Sequence, residues 1–111
     1  MAWSHEFNHD VDHFYVNGND LLRNRKEALL KQAGSDPQNY LRSMLPARFF
    51  QNAPQEFFAS ISNQYFANSE YTLNLGLERF EQGRTEPLNQ FLFFADVYSR
   101  GGQSTVFYTL D

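Results

Sequence analysis

Three histidines lie close together near the start of the sequence, in the stretch HEFNHDVDH over residues 5–13. His5 and His9 frame an H-E-x-x-H pattern, and His13 follows four residues later. Residues four apart lie on one face of an α-helix, so the imidazoles of His5 and His9 can bind a single Zn²⁺. Glu6 is offset from that row and can reach a water molecule on the metal as a general base. The pattern therefore predicts a zinc site that activates water.

A polar helix face that carries exposed imidazoles is the alternative interpretation of this short motif. A catalytic zinc needs a third protein ligand and leaves one position open for water. One straight helix cannot bring His13 to the same metal as His5 and His9. Tyr15 stands six residues after His9, where the metzincin pattern requires another histidine, so that class is excluded. We therefore expect a carboxylate from a second helix to complete the site.

Glu56 is the candidate for this carboxylate. It lies in the stretch QEFFAS, followed by Phe57 and Phe58, near the start of a predicted helix whose other residues are typical of a core. A buried carboxylate is costly unless it is paired or bound to a metal. The alternative is a glutamate that stabilises the helix dipole at an N-terminus. The presence of an H-E-x-x-H helix favours the metal ligand.

Two stretches, HEFNHDVDHF (residues 5–14) and QEFFASISNQYF (residues 55–66), together resemble the zinc-binding stretches of the anthrax lethal factor-like metallopeptidases, which are gluzincins. The family pattern is approximately H-E-F-G-H-x-x-D, followed some forty-odd residues later by E-F-F-A-E, and here Glu56 comes 47 residues after His9. The resemblance implies a zincin-like helical metallopeptidase subdomain that hydrolyses peptide bonds in a peptide or protein substrate. It also implies Zn²⁺ bound by His5, His9 and Glu56, with Glu6 as the base.

Supporting residues are also implied by the resemblance. Asp12, one turn beyond the motif, would be a carboxylate that supports a ligand or packs the helix, and a solvated acid is an equal alternative. Ser60 stands where the family carries a second glutamate, which would hold a ligand histidine. Asn8 replaces the usual glycine. The family's tyrosine before the glutamate ligand has no counterpart, since Tyr40 lies 16 residues before Glu56.

The resemblance further implies what surrounds this chain. In gluzincins a small sheet lies upstream of the H-E-x-x-H helix, and its edge strand aligns the substrate backbone. We therefore expect residues 1–111 to be a single-domain fragment of a longer catalytic domain, with strands before Met1. The family favours a secreted, toxin-like protein, although the start MAWSHEF shows no signal peptide.

Charge and composition argue against several classes of function. A net charge of −4 argues against a nucleic-acid interface, which is normally basic and clustered. No apolar run approaches the roughly 18 residues that span a bilayer. Cysteine is absent, so a metal must be held by His, Asp, Glu or backbone groups.

Hydrophobic periodicity and turn residues predict a mainly α domain of five or six helices that position these side chains. Residues 104–110 alternate in a strand-like way and form at most one short strand. The predicted helices span 2–15, 21–34, 35–45, 52–67, 69–83 and 85–100, with a loop over 46–51.

Capping residues define the ends of several of these helices. Asn19 or Asp20 is expected to cap the second helix, and Gly34 to end it. Asn52 is the expected N-cap of the helix that carries Glu56, with Gln55 as its capping-box partner.

A non-catalytic helical interaction module, or an inactive zinc-binding remnant of the same fold, is the alternative function. In that interpretation some of the abundant aromatic residues form a partner-binding surface as well as a core. Ordinary core packing is the favoured interpretation of this set, which comprises Phe49, Phe50, Phe91, Phe93 and Phe94.

Overall fold

The structure is a computed structural model that describes residues 2–42 and 46–99. Over these two ranges all regular structure is helical, which confirms the predicted mainly α class. The predicted strand over 104–110 lies outside the described residues. The helices are α1 (Ala2–Asp10), α2 (Asp20–Ala33), α3 (Ala47–Asn52), α4 (Pro54–Ala67), α5 (Ser69–Glu81) and α6 (Glu86–Ser99), with a π-helical segment (Val11–Val16) after α1 and a 3₁₀ turn (Pro37–Asn39) after α2.

Helix α4 lies at the centre of the fold and packs against all of the other helices. Six consecutive residues, from Phe57 to Ser62, are buried, so this part of α4 has no face toward solvent. A helix that is buried all round must be enclosed by other elements. Helix α1, which carries His5 and His9, packs against one side of α4. Within 2–42 and 46–99, every helix is too short or too polar to cross a bilayer.

Aromatic rings fill the core around α4. Phe58 packs on Phe94 with ring centroids 5.1 Å apart, and Phe50 packs on Tyr40 at 5.0 Å. The structure therefore shows ordinary core packing, the favoured interpretation, for most of the five phenylalanines considered in the sequence. Phe91 is half-buried against the core and Phe49 is 40% exposed, while the fully buried members are Phe50, Phe93 and Phe94.

The second helix agrees with its predicted boundaries. The side chain of Asn19 accepts a hydrogen bond from the N–H of Leu22 at 3.1 Å, which confirms Asn19 as the cap. Gly34 ends the helix with φ at +64°, a conformation that L side chains rarely adopt.

The helix predicted over 35–45 is wrong for the described residues 35–42, where only the 3₁₀ turn Pro37–Asn39 forms and the backbone is extended at Tyr40. Tertiary hydrogen bonds explain why the chain is not helical at Tyr40. The Tyr40 hydroxyl donates to the Gly34 carbonyl at 2.8 Å, and the buried guanidinium of Arg79 on α5 donates to the Tyr40 carbonyl at 3.0 Å. These partners hold the chain in a conformation that a helix could not satisfy.

The loop predicted over 46–51 is also wrong, because α3 forms there. Ala47 and Phe50 lie three residues apart on one face of this short helix, and both are buried. Asn52 is the last residue of α3, so it cannot cap the next helix. Ala53 takes the N-cap position of α4 without a side-chain bond, and Pro54 follows as its first residue.

Candidate metal centre

Packing of α1 against α4 brings the three predicted ligands together. Nε2 of His5 lies 3.0 Å from Oε2 of Glu56, and Nε2 of His9 lies 2.9 Å from Oε1 of the same carboxylate. The two Nε2 atoms are 3.0 Å apart, and the imidazole planes are nearly perpendicular at 85°. Two helices that are distant in sequence thus direct three Lewis bases toward one point.

This geometry fits a small tetrahedral cation. One ligand atom from each of His5, His9 and Glu56 lies within 4.8 Å of the others. Tetrahedral ligands at the usual Zn–N distance of 2.0–2.1 Å are about 3.3 Å apart, so a small outward movement would accommodate the ion. Two imidazoles and one carboxylate form a donor set of the type found in catalytic zinc sites.

The site is open on one side. The side chains of His5, His9 and Glu56 are respectively 27%, 24% and 26% exposed. A structural zinc site is closed by four protein ligands, whereas a catalytic site keeps a position for water. Three protein ligands with partial exposure match the catalytic arrangement.

His13 lies beyond a change of helix type that follows α1. The helix continues after α1 as the π-helical segment Val11–Val16, in which backbone bonds link residues five apart. The exposed ring of His13 packs on Phe14 with centroids 4.7 Å apart, and among the described residues it lies outside the group that could hold a metal ion.

Glu6 is exposed on α1, directly after His5. Exposure leaves its carboxylate accessible to water and to a substrate. The assignment of Glu6 as general base stays a prediction, since the base must lie within hydrogen-bond reach of the attacking water.

Asp12 lies one turn beyond His9 and pairs with Lys26 of α2. Its Oδ1 atom accepts from Nζ of Lys26 at 2.8 Å, and Nζ also donates to Oδ1 of Asn17 at 2.7 Å. Burial raises the pKa of the Asp12 carboxyl, and the hydrogen bond and charge of Lys26 partly oppose that rise. The contacts therefore assign Asp12 the helix-packing role, joining the π-helical segment to α2.

Asn63 contacts the ring nitrogen of His5 that faces away from the ligand cluster. Nδ2 of Asn63 lies 3.3 Å from Nδ1 of His5, and Nδ2 of Asn8 donates to Oδ1 of Asn63 at 2.9 Å. The Tyr98 hydroxyl lies 3.3 Å from Oδ1 of Asn8. We did not predict these three residues from the sequence. Asn63 follows Glu56 by seven residues, two turns along the same face of α4, so helical spacing was the available signal.

Two other residues considered in the sequence lie in the interior. Ser60 is buried in α4 at 2% exposure, and its proposed support of a ligand histidine stays a prediction. Tyr40 is fully buried, and its hydroxyl bonds with Gly34 and Gln51. Tyr40 is therefore a core residue in this structure.

A cleft of about 480 Å³ lies between α2 and the first turn of α4. Pro54 and Gln55 line its α4 side and directly precede Glu56. Charges of both signs line the opposite side, on Lys26, Glu27 and Lys31. The cleft therefore lies beside the first turn of α4, the helix that carries Glu56.

Comparison with known proteins gave no match: no family model, no curated protein and no solved structure is similar to this chain.

Proposed function

We propose that this chain is the zinc-binding part of a metallopeptidase that hydrolyses peptide bonds. The observation that carries the proposal is the convergence of His5, His9 and Glu56, whose ligand atoms lie within 4.8 Å of one another although Glu56 is 47 residues after His9. The H-E-x-x-H spacing, the donor types and the partial exposure support the same chemistry. Because of the family resemblance, the proposal also includes a secreted location and an upstream domain that carries a sheet.

Each residue has a defined task in this mechanism. His5, His9 and Glu56 would hold Zn²⁺, which when bound polarises a peptide carbonyl and lowers the pKa of water. Glu6 would accept the proton of the attacking water and later transfer it to the leaving amine. The packing of α1 on α4 orients the ligands, because each helix holds its own side chains rigidly.

The cleft beside α4 is lined by Gln55, the residue before Glu56, and by none of the three proposed ligands. Gln55 and Pro54 form one wall, and its mixed charges can bind polar side chains and the backbone of a peptide.

The Glu6→Gln variant tests the general base. We expect it to retain zinc, because residue 6 is not a ligand, and to lose hydrolysis by about 10²–10⁴-fold because the amide cannot accept the proton. Peptide cleavage by zinc-loaded protein, followed by mass spectrometry of a mixed peptide library, measures the effect. Asp10→Asn is the matched control, since Asp10 is another exposed acid on α1. Equal cleavage by Glu6→Gln and wild type would contradict the assignment.

A non-catalytic interaction module is the second candidate function. It is favoured by large apolar side chains on the surface of α1 and the π-helical segment, where Phe7 is 52% and Phe14 is 75% exposed. In this alternative Glu56 simply accepts hydrogen bonds from both imidazoles and joins α1 to α4. Zinc-loaded wild type that leaves all peptides intact would favour an inactive remnant. Wild type and a His5→Ala, His9→Ala double variant that both keep their melting temperatures when zinc is added would favour the module.

A further inference from the structure

We propose that one exposed edge of α5 is a docking surface for a basic amphipathic helix of a partner protein. The surface consists of three apolar side chains with an acid at each end, and we call it the α5 surface. Its members are Glu70, Leu73, Leu77, Phe80 and Glu81. None of them is a proposed metal ligand, so the inference goes beyond the proposed function and does not depend on it.

Helix α5 packs on the rest of the fold through residues that are polar or small. Its buried members are Thr72, Gly76 and Arg79. The hydroxyl of Thr72 donates to the carbonyl of Gln64 at 3.1 Å, and the guanidinium of Arg79 donates to the carbonyl of Tyr40 at 3.0 Å. The buried face of α5 therefore contributes no large apolar side chain to the core.

Large apolar residues of α5 lie at its surface instead. Leu77 is 43% exposed, Phe80 is 42% exposed and Leu73 is half-buried. These three residues stand at positions i, i+4 and i+7, so they form one stripe along the helix. An amphipathic helix normally turns such a stripe toward the core. A contiguous apolar stripe at the surface, bordered by polar residues, indicates an interaction site.

The charges on the outside of α5 are all negative. Glu70, Glu78 and Glu81 are exposed, and within residues 2–42 and 46–99 none of the three forms an ion pair. Arg79 is the one basic residue of α5, and its guanidinium is directed inward to backbone carbonyls. A partner of this helix must therefore supply positive charge.

The acids stand where they can select a partner. Glu70 precedes Leu73 by three residues and Glu81 follows Leu77 by four, so both lie on the face of the stripe, about 16 Å apart along the axis at 1.5 Å per residue. Glu78 and Glu81 also occupy the last helical turn, where the helix dipole favours cations. The stability of α5 alone does not account for these two acids, whereas cations of a partner would offset their charge.

These features together define the occupant. A second amphipathic helix can insert its own apolar side chains between those of the stripe, with Lys or Arg at its ends near Glu70 and Glu81. Two copies of α5 paired in either direction would place acids against acids. Nucleic acids and anionic membranes are repelled for the same reason.

Two synthetic helical peptides test the charge requirement on the full 111-residue chain. One has leucines at i, i+4 and i+7 with lysines at both ends, and the other has glutamates in place of the lysines. We expect the lysine peptide to bind at least about 10-fold more tightly, with an advantage that shrinks as salt is added. Fluorescence anisotropy of labelled peptide gives the affinities, and backbone amide NMR shifts should change mainly in α5.

Variants of the α5 surface locate the binding. Leu77→Asp should weaken binding of the lysine peptide by about 10-fold or more, because an unpaired carboxylate would be buried in the contact. The double variant Glu70→Lys, Glu81→Lys should prefer the glutamate peptide, which a general loss of structure could not produce. Tyr71→Ser is the matched control, since Tyr71 is 62% exposed on the other side of α5, and it should change affinity less than about threefold.

Each outcome supports or overturns the docking surface. Equal affinity for the two peptides, or no binding of the lysine peptide at about 1 mM, overturns it. Wild-type affinity in Leu77→Asp also overturns it, and so does self-association of wild type that Leu77→Asp abolishes, because the occupant is then a second copy. Where Leu77→Asp does not fold, the charge-reversed double variant decides. Both variants keep all three proposed ligands, so their zinc content reports on the metal centre separately.

Discussion

Wild-type protein purified without chelator should contain one Zn²⁺ per chain, and the Glu56→Ala variant should contain none. Removal of Glu56 leaves two histidines at i and i+4 on one helix, which is one ligand short of the three that a catalytic zinc requires. Elemental analysis of dialysed protein, reported as metal per chain, is the measurement. His5→Ala should behave in the same way, because its Nε2 is one of the three converging atoms.

Zinc should also raise the thermal stability of wild type. A ligand that binds only the folded state at 1,000 times its Kd stabilises that state by about 4 kcal/mol. For a chain of 111 residues this corresponds to a rise in Tm of more than about 10 °C. Glu70→Ala is the matched control, because Glu70 is an exposed acid in the first turn of the neighbouring helix and should leave the zinc effect intact. Wild-type protein that contains no zinc, and whose Tm does not change when zinc is added, would refute the metal centre.

The largest loss of stability outside the aromatic core is expected from Lys26→Met. Its ammonium pairs with Asp12 at 2.8 Å, and the two side chains are only 7% and 2% exposed. Removal of one partner from a buried ion pair typically costs about 3–5 kcal/mol, because the remaining charge stays buried and uncompensated. Urea unfolding at neutral pH should show this difference from wild type.

The loss in Lys26→Met should depend on pH in a defined direction. Burial already raises the pKa of Asp12 above 3.8 in wild type, and the loss of Lys26 removes the largest of the interactions that oppose the rise. A carboxyl group with a raised pKa binds its proton more tightly in the folded state. Stability therefore falls as pH rises from about 4 through the folded-state pKa, and then becomes constant. The variant should approach wild type near pH 4 and be least stable at neutral pH.

The double variant Asp12→Asn, Lys26→Met is the control for that pH dependence. It has no carboxyl group at residue 12, so its stability relative to wild type should vary much less between acidic and neutral pH. A pH profile of the double variant as steep as that of Lys26→Met would assign the dependence to other groups.

Local sequence was sufficient for the parts of the site that lie within one helix. The spacing of His5 and His9 is a property of the α-helix itself, so their common face followed from the sequence. The cap of α2 at Asn19 and its end at Gly34 are also local, since each depends on the conformational preference of a single residue. The pairing of Glu56 with these histidines was predicted from its buried context and from a family pattern, and α1–α4 packing places it there.

Predictions failed where tertiary contacts compete with local preference. Residues 35–42 contain a helix start signal at Asp36–Pro37, but the chain leaves the helix because Tyr40 must bond with Gly34 and Arg79. The π-helical segment Val11–Val16 likewise has no local signal in the sequence.

The sequence by itself determined the helical class and the common face of His5 and His9, because helix period is a local property. The tertiary structure decided which polar groups surround His5. Asn8 comes from α1, Asn63 from α4 and Tyr98 from α6, and only the packing of three helices joins them. The same packing gave Asp12 a cation rather than water as its partner. Hydrogen bonds and ion pairs act over about 3 Å, so partners far apart in sequence are specified by the fold and not by spacing.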